Sequence, residues 1–237
     1  MDAKTLALAL VIWAGSFTPV WASNGRLDIV LLPSGYTSEV TFRADAQKVI
    51  AAHQAREPYA SRAEQLAWSV LWTTTPIPCS RSTSTTRLIT CNQTVAANVV
   101  VNAGLPMEKG IILVNTTSYG GSGGGRFAVS YRGSQMVQVT VHEFGHTLAS
   151  LKDEYNLYTS KGTVQERWYA NCWMGAASPV DAGVWVKGCY RPNFWRQRAI
   201  KPDGSQTNSV MHSLAYSQFN ELSRDLLTDA IDDWAGR

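Results

Sequence analysis

The stretch "VHEFGHTLASLKDEY", Val141–Tyr155, decides how this chain is read. His142 and His146 stand four residues apart, and Glu143 follows the first of them. On a helix, residues at that spacing sit one above the other on a single face. The two imidazoles can then offer nitrogen atoms to one ion, with Glu143 beside the same face. Zinc suits neutral imidazole, and a catalytic zinc site uses three protein ligands and leaves a place for water. A carboxylate within reach of that water can serve as general base and later hand the proton to a leaving amine. The pair of histidines also fits a packed helix that holds no metal, so the third ligand carries the decision.

The longer form of this pattern has a third histidine six residues past the second. Lys152 occupies that place, and an ammonium group has no lone pair to give. Two acidic residues follow, Asp153 and Glu154. In an unbroken helix, Asp153 would stay on the ligand face but about 10 Å along the axis from His146, at roughly 1.5 Å per residue. The helix therefore has to end near Ala149–Ser150 and the chain has to turn back. Either carboxylate can then arrive at the ion, and zinc accepts both. The residues alone leave Asp153 and Glu154 as alternatives.

The surroundings of the motif point to export. The chain has 237 residues, 45% of them hydrophobic, which is enough for one sizeable core. A formal charge of +3 and only 16% charged residues, with no dense Lys/Arg run, argue against a nucleic-acid partner. Residues 1–22 have the layout of a secretory signal: Lys4, an apolar run from Leu6 to Gly15, and small residues before a cut after Ala22. The run is too short to span a bilayer, and no other segment is long and apolar enough. The expectation is a secreted or periplasmic protein with one domain over 23–237. Four cysteines in an exported chain suggest two local disulfides, Cys79–Cys91 and Cys172–Cys189. No Cys-x-x-Cys spacing supports a cysteine zinc site.

Along the chain, Leu27–Tyr36 reads as a buried strand and turn. Thr37 or Ser38 caps a helix to about Arg56, with Val40, Ala46, Val49, Ile50 and His53 on its inner side; Glu57-Pro58 ends it. Leu66–Thr75, Gly110–Asn115 and Phe127–Tyr131 are strand candidates. Pro76–Thr94 reads as a surface loop. The glycine run around Ser122 is either a flexible loop or an edge strand that a peptide backbone approaches. Ser134–Asp153 has a helical pattern, with Val137, Thr140, Val141, Phe144, Leu148 and Leu151 available for packing. Tyr155–Gln206 is loop-like. Ser217–Trp234 is an amphipathic helix with Phe219, Leu222, Leu226, Ala230 and Trp234 on one face.

Four segments resemble the IgA-peptidase-like zinc metallopeptidases, relatives of the metzincins: "LDIVLLPSGYT", "ILVNTTSYGGSGGGRFAVSY", "HEFGHTLASLKDEY" and "CYRPNF…NSVMHS". The resemblance implies an α+β, metzincin-like fold, with a twisted mixed sheet and helices in an upper half and a loop-rich lower half. It implies Met211 in a tight turn under the metal and a C-terminal helix. It implies Zn2+ on His142, His146 and Asp153, with Glu143 as the base and Glu154 in the position after the third ligand. The implied activity is endopeptidase cleavage of a protein or peptide; cleavage of immunoglobulin is not implied. Two positions depart from the family pattern. Ser34 stands where an acidic residue is usual, and Ala149 stands at a Gly-like position.

Other candidates have plainer readings. Tyr155, Tyr190 and Tyr216 can point a hydroxyl at an oxyanion, or simply brace the fold. His212 follows Met211 and reads as a surface residue, and His53 as a core one. The backbone of Gly121–Phe127 can take an extended peptide by main-chain hydrogen bonds. Trp168, Trp173, Trp185 and Trp195 pack a sheet-poor region or form a binding surface. Two competing functions remain: a non-catalytic binding module on the same fold, and a zinc amidase acting on cell-wall peptide.

Overall fold

The computed structural model describes residues 25–82, 87–154, 167–169, 171–174, 188–190 and 208–236, with the backbone alone for 167–169, 172–174 and 188–190. The elements run β1 (Leu27–Ser34), α1 (Glu39–Gln54), β2 (Leu66–Val70), β3 (Cys79–Arg81), β4 (Ile89–Cys91), α2 (Gln93–Asn102), β5 (Lys109–Val114), β6 (Gly121–Ser122), β7 (Phe127–Tyr131), α3 (Met136–Ala149), β8 (Arg167–Tyr169), β9 (Cys172–Met174), β10 (Gly188–Tyr190) and α4 (Glu221–Ala235). Five strands form a sheet in the order β2-β1-β5-β7-β6. β1, β2, β5 and β7 are parallel, and β6 runs antiparallel at the edge.

Helices cover both faces of this sheet, so its strands are near-continuous apolar runs. Alternate residues of one strand enter different cores because side chains alternate across the pleat. Leu27, Ile29 and Leu31 of β1 join Ile111, Leu113 and Ala128 beneath α1, α3 and α4. Val30 and Leu32 join Ile112, Phe127 and Val129 against α2 and the β3–β4 hairpin. The expected mixed sheet with packed helices is what forms.

Several local expectations are corrected. Val40 is 79% exposed, and Phe42 takes the inner place. Phe42, Ala46, Val49 and His53 are the positions that share a face at helical spacing. Ser38 caps α1 by accepting from Thr41 N. The segment 76–94 is not a loop throughout. Cys79 and Cys91 pair across an antiparallel hairpin and form a disulfide, while Ile77 and Ile89 are buried. α2 starts at Gln93 behind the Asn92 cap, and its Val-rich run hid it from a reading based on polarity. β2 ends at Val70 rather than Thr75. α4 starts at Glu221 rather than Ser217; Phe219 and Leu222 of the expected stripe are buried and Leu226, Ala230 and Trp234 pack half-buried against the core, while Ser223, Leu227 and Ile231 are the fully buried positions of the helix. The Cys172–Cys189 pairing lies outside the described residues.

His53 is fully buried at the meeting of α1, β2 and α3. Its ring lies 5.1 Å from Tyr59, 5.3 Å from Trp68 and 5.4 Å from Phe144. Nδ1 donates to Val49 O. Burial pushes the imidazole down from 6.5 to about 4, outweighing the Val49 bond. The unfolded chain therefore takes up this proton at a higher pH than the folded one, and stability is lost as pH falls from 6.5 towards 4. The loss is on the order of 3 kcal/mol. Urea midpoints measured across that window are expected to fall for the wild type. They are expected to fall less steeply for His53→Leu; equal slopes would remove His53 as the cause.

Candidate metal centre

α3 carries the His-Glu-x-x-His motif and is fixed by its inner face. Phe144, Val141 and Leu148 are buried in the core under the sheet, which turns His142, Glu143 and His146 to another side. The helix stops at Ser150, whose backbone is left-handed at φ 54. Ser150 N donates to His146 O and Leu151 N to Gly145 O, a bonding pattern that closes helix ends around a left-handed residue. The expected bend is thus built at Ser150, the residue after the Ala149 that departs from the family pattern.

After the bend, Asp153 comes back to the histidines. Its Oδ1 is 2.9 Å from His142 Nε2 and 3.1 Å from His146 Nε2, and the two Nε2 atoms are 3.2 Å apart. Ligands at about 2.0–2.1 Å from a tetrahedral ion stand roughly 3.3 Å from one another. His142 Nδ1 faces Val210 O at 2.9 Å, and His146 Nδ1 faces Leu151 O. A carbonyl accepts only, so each Nδ1 carries the proton and each Nε2 presents a lone pair. Two lone pairs and a carboxylate oxygen converge on one point, where a cation is needed. Burial opposes charge on His142, yet Asp153 and Glu143 lift it to about 9. Burial likewise opposes charge on Asp153, but bonds from both imidazoles hold it well below the carboxylate range. His142, His146 and Asp153 can hold a metal ion together, and they are the one such group among the described residues.

Glu154 points elsewhere. It is fully buried and accepts from Asn220 Nδ2 at 3.0 Å and Ser223 Oγ at 3.4 Å, at the positive end of α4. Its N–H donates to Met211 O at 2.8 Å. Met211 is buried below α3, and a Cβ on Gly145 would meet its Sδ at 3.1 Å. The glycine in His-Glu-Phe-Gly-His is what lets the methionine turn approach. Asn171, also buried, clamps the bend by accepting from Lys152 N at 2.7 Å and donating to Lys152 O at 2.9 Å. Asn171, Asn220 and Ser223 were missed in the sequence. Only Asn220 left a signal, as a cap residue before an amphipathic run.

Glu143 lies beside the cluster, under the glycine run. Burial raises its carboxyl above the ordinary value, with His142 and His146 pulling it back down. A Cβ on Gly121 would stand 2.9 Å from Glu143 Oε1, and one on Gly123 would stand 2.2 Å from Glu143 O and 2.6 Å from His146 Cβ. The run is a close approach of β6 to α3, tethered by Thr147 Oγ1 to Gly124 N and by Lys109 Nζ to Gly125 O. His212 and Tyr216 stand side by side after Met211, ring centroids 6.2 Å apart, and His212 is not a member of the cluster. Tyr155, Trp185, Trp195 and the side chains of Tyr190, Trp168 and Trp173 lie outside the described residues.

The model of the family described as IgA Peptidase M64 matches residues 79–178, which include the motif helix and Asp153. No curated protein matches the chain. Among solved structures, the archaemetzincin of Methanopyrus kandleri matches with a TM-score of 0.43 and 11% identity, over 89% of this chain and 98% of that one.

Asp153→Ala is expected to purify with little zinc and to bind it at least about 10-fold more weakly, whereas Glu154→Gln keeps its zinc and melts earlier, by about 1–3 kcal/mol. Metal analysis beside thermal melts checks both, and the reverse order would exchange the two roles. Gly123→Ala is expected to destabilise the protein by about 1–3 kcal/mol, because backbone rather than a movable side chain blocks the new methyl. An unchanged melting temperature would show that β6 and α3 are not in firm contact.

Proposed function

We propose that this chain is a metzincin-like, zinc-dependent endopeptidase that is exported, with His142, His146 and Asp153 as zinc ligands and Glu143 as general base. The observation that carries the reading is the convergence of His142 Nε2, His146 Nε2 and Asp153 Oδ1 within 3.2 Å of one another, next to a buried glutamate. Two nitrogens and one oxygen are a donor set that zinc takes in hydrolytic sites. The match of residues 79–178 to the IgA Peptidase M64 model supports the same class.

Bound zinc would supply Lewis-acid polarisation of the scissile carbonyl and bring the pKa of water towards about 7. The chain's own groups do the rest. The carbonyls of Val210 and Leu151 hold each imidazole in the tautomer that leaves Nε2 free to bind. Glu143 takes a proton from the attacking water and returns it to the amine that leaves; burial raises its carboxyl pKa, which makes the carboxylate the stronger base for the first of these transfers. β6 roofs this carboxylate. Export is supported by the signal-like residues 1–22 and by the Cys79–Cys91 disulfide, which persists in an oxidising compartment. No helix among the described residues is long and apolar enough to cross a membrane.

Zinc-loaded wild type and Glu143→Ala are to be compared on a reduced, alkylated protein substrate. The variant is expected to hold as much zinc as the wild type and to cleave about 10²–10⁴-fold more slowly. Equal cleavage would reject Glu143 as the base. Full zinc with no cleavage by either protein would favour the binding module.

A further inference from the structure

We infer that Leu88 is a specificity-determining residue of this site, whose side chain stands beside the Glu143 carboxylate and selects substrates with an apolar residue close to the scissile bond; this rests on the peptidase reading above. Gly121 fixes where Leu88 points. Leu88 forms a parallel bridge to Gly121, and Gly121 N donates to Arg87 O at 3.0 Å. Bridged residues put their side chains on one face of a sheet, and the residues before and after them point to the other. A Cβ on Gly121 would stand 2.9 Å from Glu143 Oε1 and 2.7 Å from Val139 Cγ1, so its face is the α3 face. Leu88 shares that face, one strand spacing of about 4.7–4.9 Å outward from Gly121.

The neighbours of Leu88 follow the same alternation. Ile89 is buried in the second core, and its Cγ1 would stand 3.0 Å from a Cβ on Gly120. The Arg87 guanidinium lies 5.1 Å over the ring of Tyr119, which packs against that same core. The side chain offered beside Glu143 is therefore apolar, and the charge next to it in sequence goes to the other face.

Leu88 is 44% exposed, one of three large apolar side chains left open among the described residues; the others, Val40 and Val101, lie on α1 and α2. Its backbone is held from both sides. Leu88 O accepts from Ser82 N at 3.2 Å, Ile89 O accepts from Ser122 Oγ, and the Cys79–Cys91 disulfide closes the hairpin. An apolar surface fixed in this way loses little freedom on contact, and covering it is favourable. A general base must reach the attacking water, so the scissile bond lies at Glu143. An extended peptide advances about 3.3 Å per residue, so a side chain one or two residues from that bond arrives at Leu88. An apolar side chain there buries area, whereas a carboxylate loses water and gains no partner.

The test uses full-length, zinc-loaded protein. One bond cleaved in a reduced, alkylated protein is identified by mass spectrometry. In peptides centred on that bond, the two residues on each side are replaced in turn by Leu, Ala and Asp. At one of these positions the wild type is expected to cleave the Leu peptide about 3- to 10-fold faster in kcat/KM than the Ala peptide, and the Asp peptide more slowly still. Leu88→Ala is expected to bring the Leu and Ala peptides at that position within about 2-fold of each other. Its zinc content, melting temperature and rate on the Ala peptide are expected to stay close to wild type, within about 2-fold for the rate. Leu88→Arg is expected to invert the order at that position, so that Asp outruns Leu. Preferences in both variants that match the wild type at every position would overturn the role of Leu88 while leaving the peptidase reading intact. Cleavage that survives Glu143→Ala would instead sink the peptidase reading, and the role of Leu88 with it.

Discussion

At Ser150 the backbone turns left-handed, at φ 54, and the chain reverses at the end of the motif helix. A non-glycine residue pays about 1 kcal/mol or more for that conformation. The bend holds because several partners depend on it at once. Leu151 O faces His146 Nδ1, and Asn171 grips both main-chain groups of Lys152. Asp153 then arrives at the imidazoles, while its neighbour Glu154 is drawn the opposite way into the start of α4. Adjacent residues on an extended chain point to opposite sides, so one reversal sends one carboxylate to the imidazole pair and the next to a helix N-terminus.

The site is consequently tied to the C-terminal part of the chain as firmly as to the sheet. Val210 O orients His142, Met211 fills the space that Gly145 leaves, and Met211 O accepts from Glu154 N. From above, β6 and the residue after it lie close enough to α3 that glycine is required at Gly121 and Gly123. Floor, ligands and roof are thus set by contacts between distant segments. A constellation held in this way loses little freedom when it binds an ion, which is what a reactive site requires.

Much of this was legible in the sequence, for local reasons. The four-residue spacing of His142 and His146 is a property of any helix, and the distance to Asp153 forced a bend once a third ligand was required. β1, β5 and β7 announced themselves because strands covered on both faces read as unbroken apolar runs. Other parts were not legible, because their causes are non-local. The choice of Asp153 over Glu154 for the imidazole side depends on Asn220 and Ser223, 66 and 69 residues away from Glu154. The glycine run left a flexible loop and an edge strand as alternatives, because its tightness comes from α3 passing beneath it. The hairpin went unseen because a cysteine-, serine- and threonine-rich stretch looks like surface until its isoleucines find a core. The bend itself was placed to within a residue, but its left-handed member is a serine that carries no turn signal of its own.

The most direct measurement is an anomalous difference map, collected at the zinc edge, from crystals of the zinc-loaded protein. The account predicts one strong peak within about 2.0–2.2 Å of His142 Nε2, His146 Nε2 and a carboxylate oxygen of Asp153. A peak ligated by Glu154 instead, or no peak between the two imidazoles, would contradict it.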